Sequence, residues 1–317
     1  MASGRRTWSI LKFGVGAEGL ALRAFLVLTV VAFPALAQER TLELGTRYWL
    51  SNGENRFAHN AQGANPAFGN PTSVLTYDEL DARGFELHWR AAFSGRWFFK
   101  GHFGAGELRD GSFDDEDYGA GQVKTDDTTS AVRGERFSYL TLDVGKDIWA
   151  SAGGTSKLGV FAGFQQWSEQ VDAFGLMVTV GTSPTFPDSL RVISNDVRWR
   201  SLRVGVAGAA AVTQRLRVLA DLALVPFSDL RNEDSHYQRA DLGPVPNIVT
   251  TGRGSGVQLE LELRYAFTDR VEAGIGVRHW ELRRDDADVR FGGGAALPVT
   301  EFETRRTGIT ATVVGRW

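Results

Sequence analysis

Val257 to Phe267 alternates without a break, with Val257, Leu259, Leu261, Leu263, Tyr265 and Phe267 on one face and Gln258, Glu260, Glu262 and Arg264 on the other. A period of two over eleven residues predicts a β-strand, and a charge at nearly every second position predicts that one face is wet. The last strand repeats the pattern, setting Ile309, Ala311, Val313 and Trp317 against Arg306, Thr310, Thr312 and Arg316. The same reading finds ten segments, at 41–51, 73–93, 96–109, 134–149, 157–172, 196–212, 214–229, 255–267, 270–285 and 302–317.

The connections sort by length. Those at 94–96, 150–156, 213–215 and 268–270 are short, whereas those at 52–72, 110–133, 173–195, 230–254 and 286–301 are long. An even strand number with short and long connections in alternation predicts a ten-stranded antiparallel transmembrane β-barrel of the outer membrane, its turns periplasmic and its long loops extracellular. Trp97, Phe99, Trp149, Tyr265, Phe267 and Trp317 fall near the short turns or the chain end, where an interfacial aromatic girdle belongs. The competing reading is a soluble β-sandwich, which would leave the alternation of loop lengths unexplained. Several segments exceed the roughly ten residues that cross hydrocarbon, so their outer ends are expected to stand above the membrane as a rigid rim.

The first residues read differently. Arg5, Arg6, Lys12 and Arg23 precede an apolar run from Ala24 to Leu36, and Ala35-Leu36-Ala37 closes it, which predicts a cleaved secretory leader over 1–37 and a single barrel domain over 38–317. The Arg5-Arg6 pair also admits a twin-arginine export signal. Without the leader, the chain keeps 31 of its 35 basic and 37 of its 38 acidic side chains, a mildly acidic balance that gives no sign of nucleic acid as a partner. With no cysteine, disulfide scaffolds and thiolate zinc sites are excluded.

Candidate chemistry sits just past the third and seventh segments. Asp114-Asp115-Glu116-Asp117 opens the second outer connection, and Asn232-Glu233-Asp234-Ser235-His236-Tyr237 opens the fourth. Residues two apart on an extended chain share a face, so Asp115 pairs with Asp117 and Asp234 with His236, while Asp114 and Glu116 read as solvated. A carboxylate beside an imidazole fixes its tautomer and stabilises the cation, as a general base acting on water requires. Two adjacent carboxylates share a proton. His59, His88, His102 and His279 lack metal-ligand spacing, so no metal is expected. Ser235 has no Gly-x-Ser-x-Gly context, which argues against a lipid-hydrolysing serine site.

The whole mature chain resembles the omptins, ten-stranded outer-membrane endoproteases of Gram-negative bacteria. The resemblance is carried by Asp115-Glu116-Asp117-Tyr118 and Asp234-Ser235-His236-Tyr237, which match the family's Asp-x-Asp-aromatic and Asp-x-His-Tyr motifs in the same order. Fainter echoes lie at 44–46, 159–165 and 198–206. It implies an endopeptidase with Asp115, Asp117, Asp234 and His236 as catalytic residues, cutting peptides next to basic residues at the extracellular mouth. It also implies no cofactor beyond lipopolysaccharide as an activator, held by outward Arg198 and Arg200, in a monomer embedded in outer-membrane lipid. Glu54 is the candidate for one specificity carboxylate of the family, but Asn232 stands where the best-known members have the other. A non-catalytic barrel of the same fold, an adhesin or surface scaffold, is the alternative.

Overall fold

The computed structural model describes residues 41–317, so the expected leader lies outside the described residues. Eleven strands follow in chain order: β1 (Thr41–His59), β2 (Ser73–Ala92), β3 (Trp97–Gly119), β4 (Val123–Arg133), β5 (Arg136–Ala150), β6 (Lys157–Val180), β7 (Phe186–Ala211), β8 (Leu216–His236), β9 (Ile248–Ala266), β10 (Val271–Phe291) and β11 (Leu297–Arg316). Every pairing is antiparallel, and β1 with β11 and β2 with β3 close the sheet into a ring.

Eleven segments occupy ten positions around that ring. β4 pairs with the outer half of β3 and β5 with its inner half, and both also pair with β6. The interruption between them falls at Gly134, whose φ of 68° lies in the left-handed region that glycine tolerates. The ten-position barrel is the expected one, with one wall broken at Gly134-Glu135.

The long outer connections are largely strand. β3 runs through the acidic stretch to Gly119, turns at Ala120 and Gly121, both with positive φ, and returns as β4. Each outer arm finds its backbone partners in the neighbouring arm, so chain that reads as polar loop is held as extended wall. Strands of up to 26 residues result, where about ten cross the membrane.

The outward positions of the inner halves are apolar. Phe85, Phe103, Leu202, Leu224, Leu261, Ile275, Val277 and Ile309 are all exposed, and Trp97, Trp149, Phe267 and Trp317 are exposed near the periplasmic turns. A belt of exposed apolar side chains bordered by aromatics is the surface that lipid covers, and it sets the barrel across an outer membrane.

The charged faces are not wet surface, as alternation alone suggested, but the packed interior. Arg47 bonds Glu86 at 2.7 Å and Glu262 at 3.1 Å, and Arg278 bonds Glu86 at 2.8 Å and Glu260 at 3.0 Å. Above them Trp49, Trp167 and Trp280 interlock, the ring of Trp280 lying 5.2 and 5.6 Å from the other two. Arg306 reaches Glu169 at 2.7 Å, and Trp167 donates to the same carboxylate at 3.1 Å. These layers fill the lumen at mid-height and give the outer mouth a solid floor. A cavity of about 460 Å³ lies in the periplasmic half, lined among others by Glu43, Lys100, Arg203 and Arg316.

The belt makes a direct prediction. Val277→Arg places a guanidinium near the hydrocarbon midplane and is expected to destabilise the vesicle-inserted barrel by about 2–4 kcal/mol, read by urea unfolding, with detergent dependence retained.

Candidate functional site

Period-two alternation sorts the acidic stretch on β3. Glu116 turns outward, where Lys124 bonds it at 2.5 Å and Tyr118 donates to it at 2.7 Å. These hydrogen bonds outweigh its partial burial and hold its carboxyl below the ordinary range. Asp114 accepts from the Thr129 hydroxyl at 2.8 Å. Phe113, Asp115 and Asp117 share the opposite face, Phe113 fully buried, Asp115 half-buried and Asp117 open at the rim.

On β8 the inward set is Ser228, Leu230, Asn232, Asp234 and His236. His236 Nε2 lies 3.1 Å from Asp234 Oδ2, and the two side chains are 11% and 4% exposed. Asn247, buried in the connection after β8, clamps this end. It accepts from the His236 backbone N–H at 2.9 Å, donates from its side chain to the His236 carbonyl at 3.0 Å, and donates from its own N–H to the Asp234 carbonyl at 3.2 Å. Nothing in the spacing of the sequence singles out Asn247, because its role depends on the register in which β9 returns beside β8.

β3 and β8 are separated by β4, β6 and β7 on one side of the ring, so the two pairs stand on facing walls of the mouth. Their charges act on each other. Burial, then the neighbouring Asp117, Asp234 and Asp126 against the opposing pull of His236, raises the Asp115 carboxyl to about 7. Burial and Asp126 raise Asp117 as well, opposed by the Ser73 hydroxyl, Arg239 and His236. Burial works against the His236 cation, but the Asp234 carboxylate and its hydrogen bond, together with Asp115, outweigh it and raise His236 above its ordinary 6.5. The cluster therefore holds protons at neutral pH that its members would lose in water. Asp234 engages the Nε2 nitrogen of the His236 ring.

Ser73, Asn247, Asp126 and Arg239 complete this setting, and none stood out in the sequence. Ser73 pairs in register with Asp117 and its Oγ lies 3.5 Å from Asp115 Oδ1, while Asp126 pairs in register with Asp117. Only the β2–β3–β4 pairing brings them to the two aspartates.

Glu54 requires a correction. It is an even position on a strand whose odd positions, Trp49, Ser51, Gly53 and Asn55, face the lumen, so it points to the outer wall and ion-pairs with Arg305. It lines no part of the mouth. Asn232 does face inward, buried, and donates to the Asp196 carbonyl at 3.3 Å. Arg198 and Arg200 lie on the outer wall of β7, on the face that continues downward into exposed Leu202, Val204 and Val206.

No protein-family model and no curated protein sequence matches the chain. Among solved structures it is similar to the outer membrane protease OmpT from Escherichia coli, with a TM-score of 0.71 at 12% identity, over 89% of this chain and 99% of that one. The translocator domain of autotransporter NalP from Neisseria meningitidis matches with a TM-score of 0.37 at 12% identity, over 95% and 96% of the two chains. Ail, the attachment invasion locus protein of Yersinia pestis, matches with a TM-score of 0.30 at 8% identity, over 88% and 100%. At 12% identity the likeness to OmpT concerns the fold alone, that of an outer-membrane β-barrel.

The electrostatics give a signed expectation. His236 should titrate above 6.5 by NMR, and Asp234→Asn should lower it, because burial then acts against a weaker partner. A raised histidine stabilises the fold fully below 6.5 and loses that contribution as pH rises through its folded value. Asp115 keeps in the folded state a proton that the unfolded chain loses near 3.8, so its contribution falls between about 4 and 7. Stability contributed by the site should thus decline from acid toward neutral pH, and Asp115→Asn should flatten the lower part of that decline in urea unfolding.

Proposed function

We propose that this barrel is an outer-membrane endopeptidase of the omptin type, hydrolysing peptide bonds in its extracellular mouth. The observation that carries the reading is the His236–Asp234 pair, 3.1 Å apart on the inner wall of β8, set on the wall opposite the inward positions Asp115 and Asp117 of β3. In this mechanism His236 takes a proton from a water between the two walls as the water attacks the peptide carbonyl. Asp234 orients the imidazole and stabilises its cation. The Asp115–Asp117 pair, protonated near neutral pH, supplies the proton that the departing amine needs. The solid floor beneath keeps the reaction at the rim, where a peptide has access.

The shared fold with a protease supports this reading, as do the two motifs. In the same proposal Arg198 and Arg200 meet phosphates of lipopolysaccharide as the activating partner, the protein works as a monomer without a metal or organic cofactor, and residues 1–37 are its leader. The outward turn of Glu54 and the neutral Asn232 remove two carboxylates that would select basic residues, so attraction of cationic peptides falls to Asp126 and to the charge that the Asp115–Asp117 pair keeps while sharing a proton. The same two features favour the second reading, a non-catalytic barrel whose polar mouth serves adhesion.

The deciding assay uses refolded protein with lipopolysaccharide and a dibasic peptide. Wild type should cleave it, and His236→Ala should reduce kcat by at least about 100-fold, the scale of a lost general base. Rates should climb on the acid side with an apparent pKa above 6.5, as the raised His236 gives up its proton, and decline as the aspartate pair ionises. Cleavage unaffected by His236→Ala would sink the assignment, and no cleavage at all would leave the adhesin reading standing.

A further inference from the structure

Tyr77 stands on the inward face of β2 and is only 3% exposed. In register it lies opposite Phe113 of β3, and Leu75 lies opposite Asp115, which puts Tyr77 one inward position below Asp115 on the adjoining strand. Its ring packs on Phe113 with centroids 4.3 Å apart, a contact that aims the phenol and limits its motion. The hydroxyl has no hydrogen-bond partner among the described residues, and neither has Asp234 Oδ1 on the opposite wall. Buried polar groups are seldom left unpaired, and an unpaired phenol on the inward face beside Asp115 is open to a polar guest.

The phenol is a donor at any pH at which the site works. Burial, followed by the charges of Asp234, Asp115 and Asp172, pushes it well above 10, so it stays protonated. Asp115 stands one inward position above it on the adjoining strand, and Asp234 of β8 acts on it across the lumen, so the hydroxyl borders the gap that the two pairs face. A fixed, neutral O–H in that gap is suited to an oxygen that gains charge during a reaction, because it needs no reorganisation when the charge appears.

We propose that Tyr77 is a further catalytic residue, its hydroxyl donating a hydrogen bond to the carbonyl oxygen of the scissile peptide as that oxygen becomes an oxyanion. The role rests on the peptidase reading above. Water adds to the carbonyl carbon and its proton passes to His236, while the carbonyl π pair moves onto oxygen. Tyr77 binds the resulting negative charge and keeps its own proton. When the tetrahedral adduct collapses, the C–N bond breaks and the amine leaves with a proton from the Asp115–Asp117 pair.

The test compares Tyr77→Phe with wild type and His236→Ala in the full barrel, refolded with lipopolysaccharide. Tyr77→Phe should lower kcat by about 100-fold, the scale of one lost oxyanion donor, with KM within about twofold. A phosphinic peptide, which carries the tetrahedral anionic oxygen, should bind Tyr77→Phe at least about tenfold more weakly than wild type. Heat-modifiable gel migration should be unchanged, since the hydroxyl makes no hydrogen bond among the described residues. If wild type cleaves and His236→Ala does not, but Tyr77→Phe keeps kcat within about threefold or changes KM alone, the role of Tyr77 is overturned and the peptidase reading stands. A Tyr77→Phe barrel that fails to fold would also overturn it, by showing that the hydroxyl is needed within the protein. A wild type that neither cleaves nor binds the phosphinic peptide overturns the peptidase reading and this role with it.

Discussion

A backbone that crosses hydrocarbon has no water to satisfy its N–H and C=O groups, so a sheet placed there must close on itself. Everything else in this structure follows from that closure. The pairing of β2 with β3 and of β1 with β11 removes the sheet edges, and once the ring exists every strand has one face toward lipid and one toward the lumen. Alternation then becomes a sorting rule, sending Leu259, Leu261 and Leu263 outward and Glu260, Glu262 and Arg264 inward.

Inward charge has to be neutralised where it lands, because a lone buried ion is expensive. The interior meets this with facing partners, Arg47 and Arg278 around Glu86, and Arg306 against Glu169, capped by tryptophans whose rings fill the width that the ion pairs leave. The packed middle separates the periplasmic cavity from the outer mouth, so the upper wall acts as a cup.

The cup is stiff because its walls are paired strand. Asp115, Asp117, Asp234 and His236 stand on extended backbone, and Asn247 pins the end of β8 through three hydrogen bonds. Stiffness matters for the electrostatics: carboxylates and an imidazole held at fixed separation in a half-buried cup shift one another's protonation, whereas on mobile loops solvent would screen them.

Much of this was written in the chain as a period of two. Alternation by itself determined the strands, the lipid face, the ten-position ring and the split of the acidic stretch into Asp115 with Asp117 and Asp114 with Glu116, because the side-chain direction on a strand is a local property. It did not determine that the outer connections continue as strand, that Glu54 turns to Arg305 on the outer wall, or that Ser73, Tyr77 and Asn247 gather at the site. Those depend on which residue of one strand lies opposite which residue of another, and that register is fixed by closing the ring, between segments far apart in sequence. The residues with recognisable chemistry were therefore visible in the sequence, while their partners, and the burial that sets their protonation, were decided only by the tertiary structure.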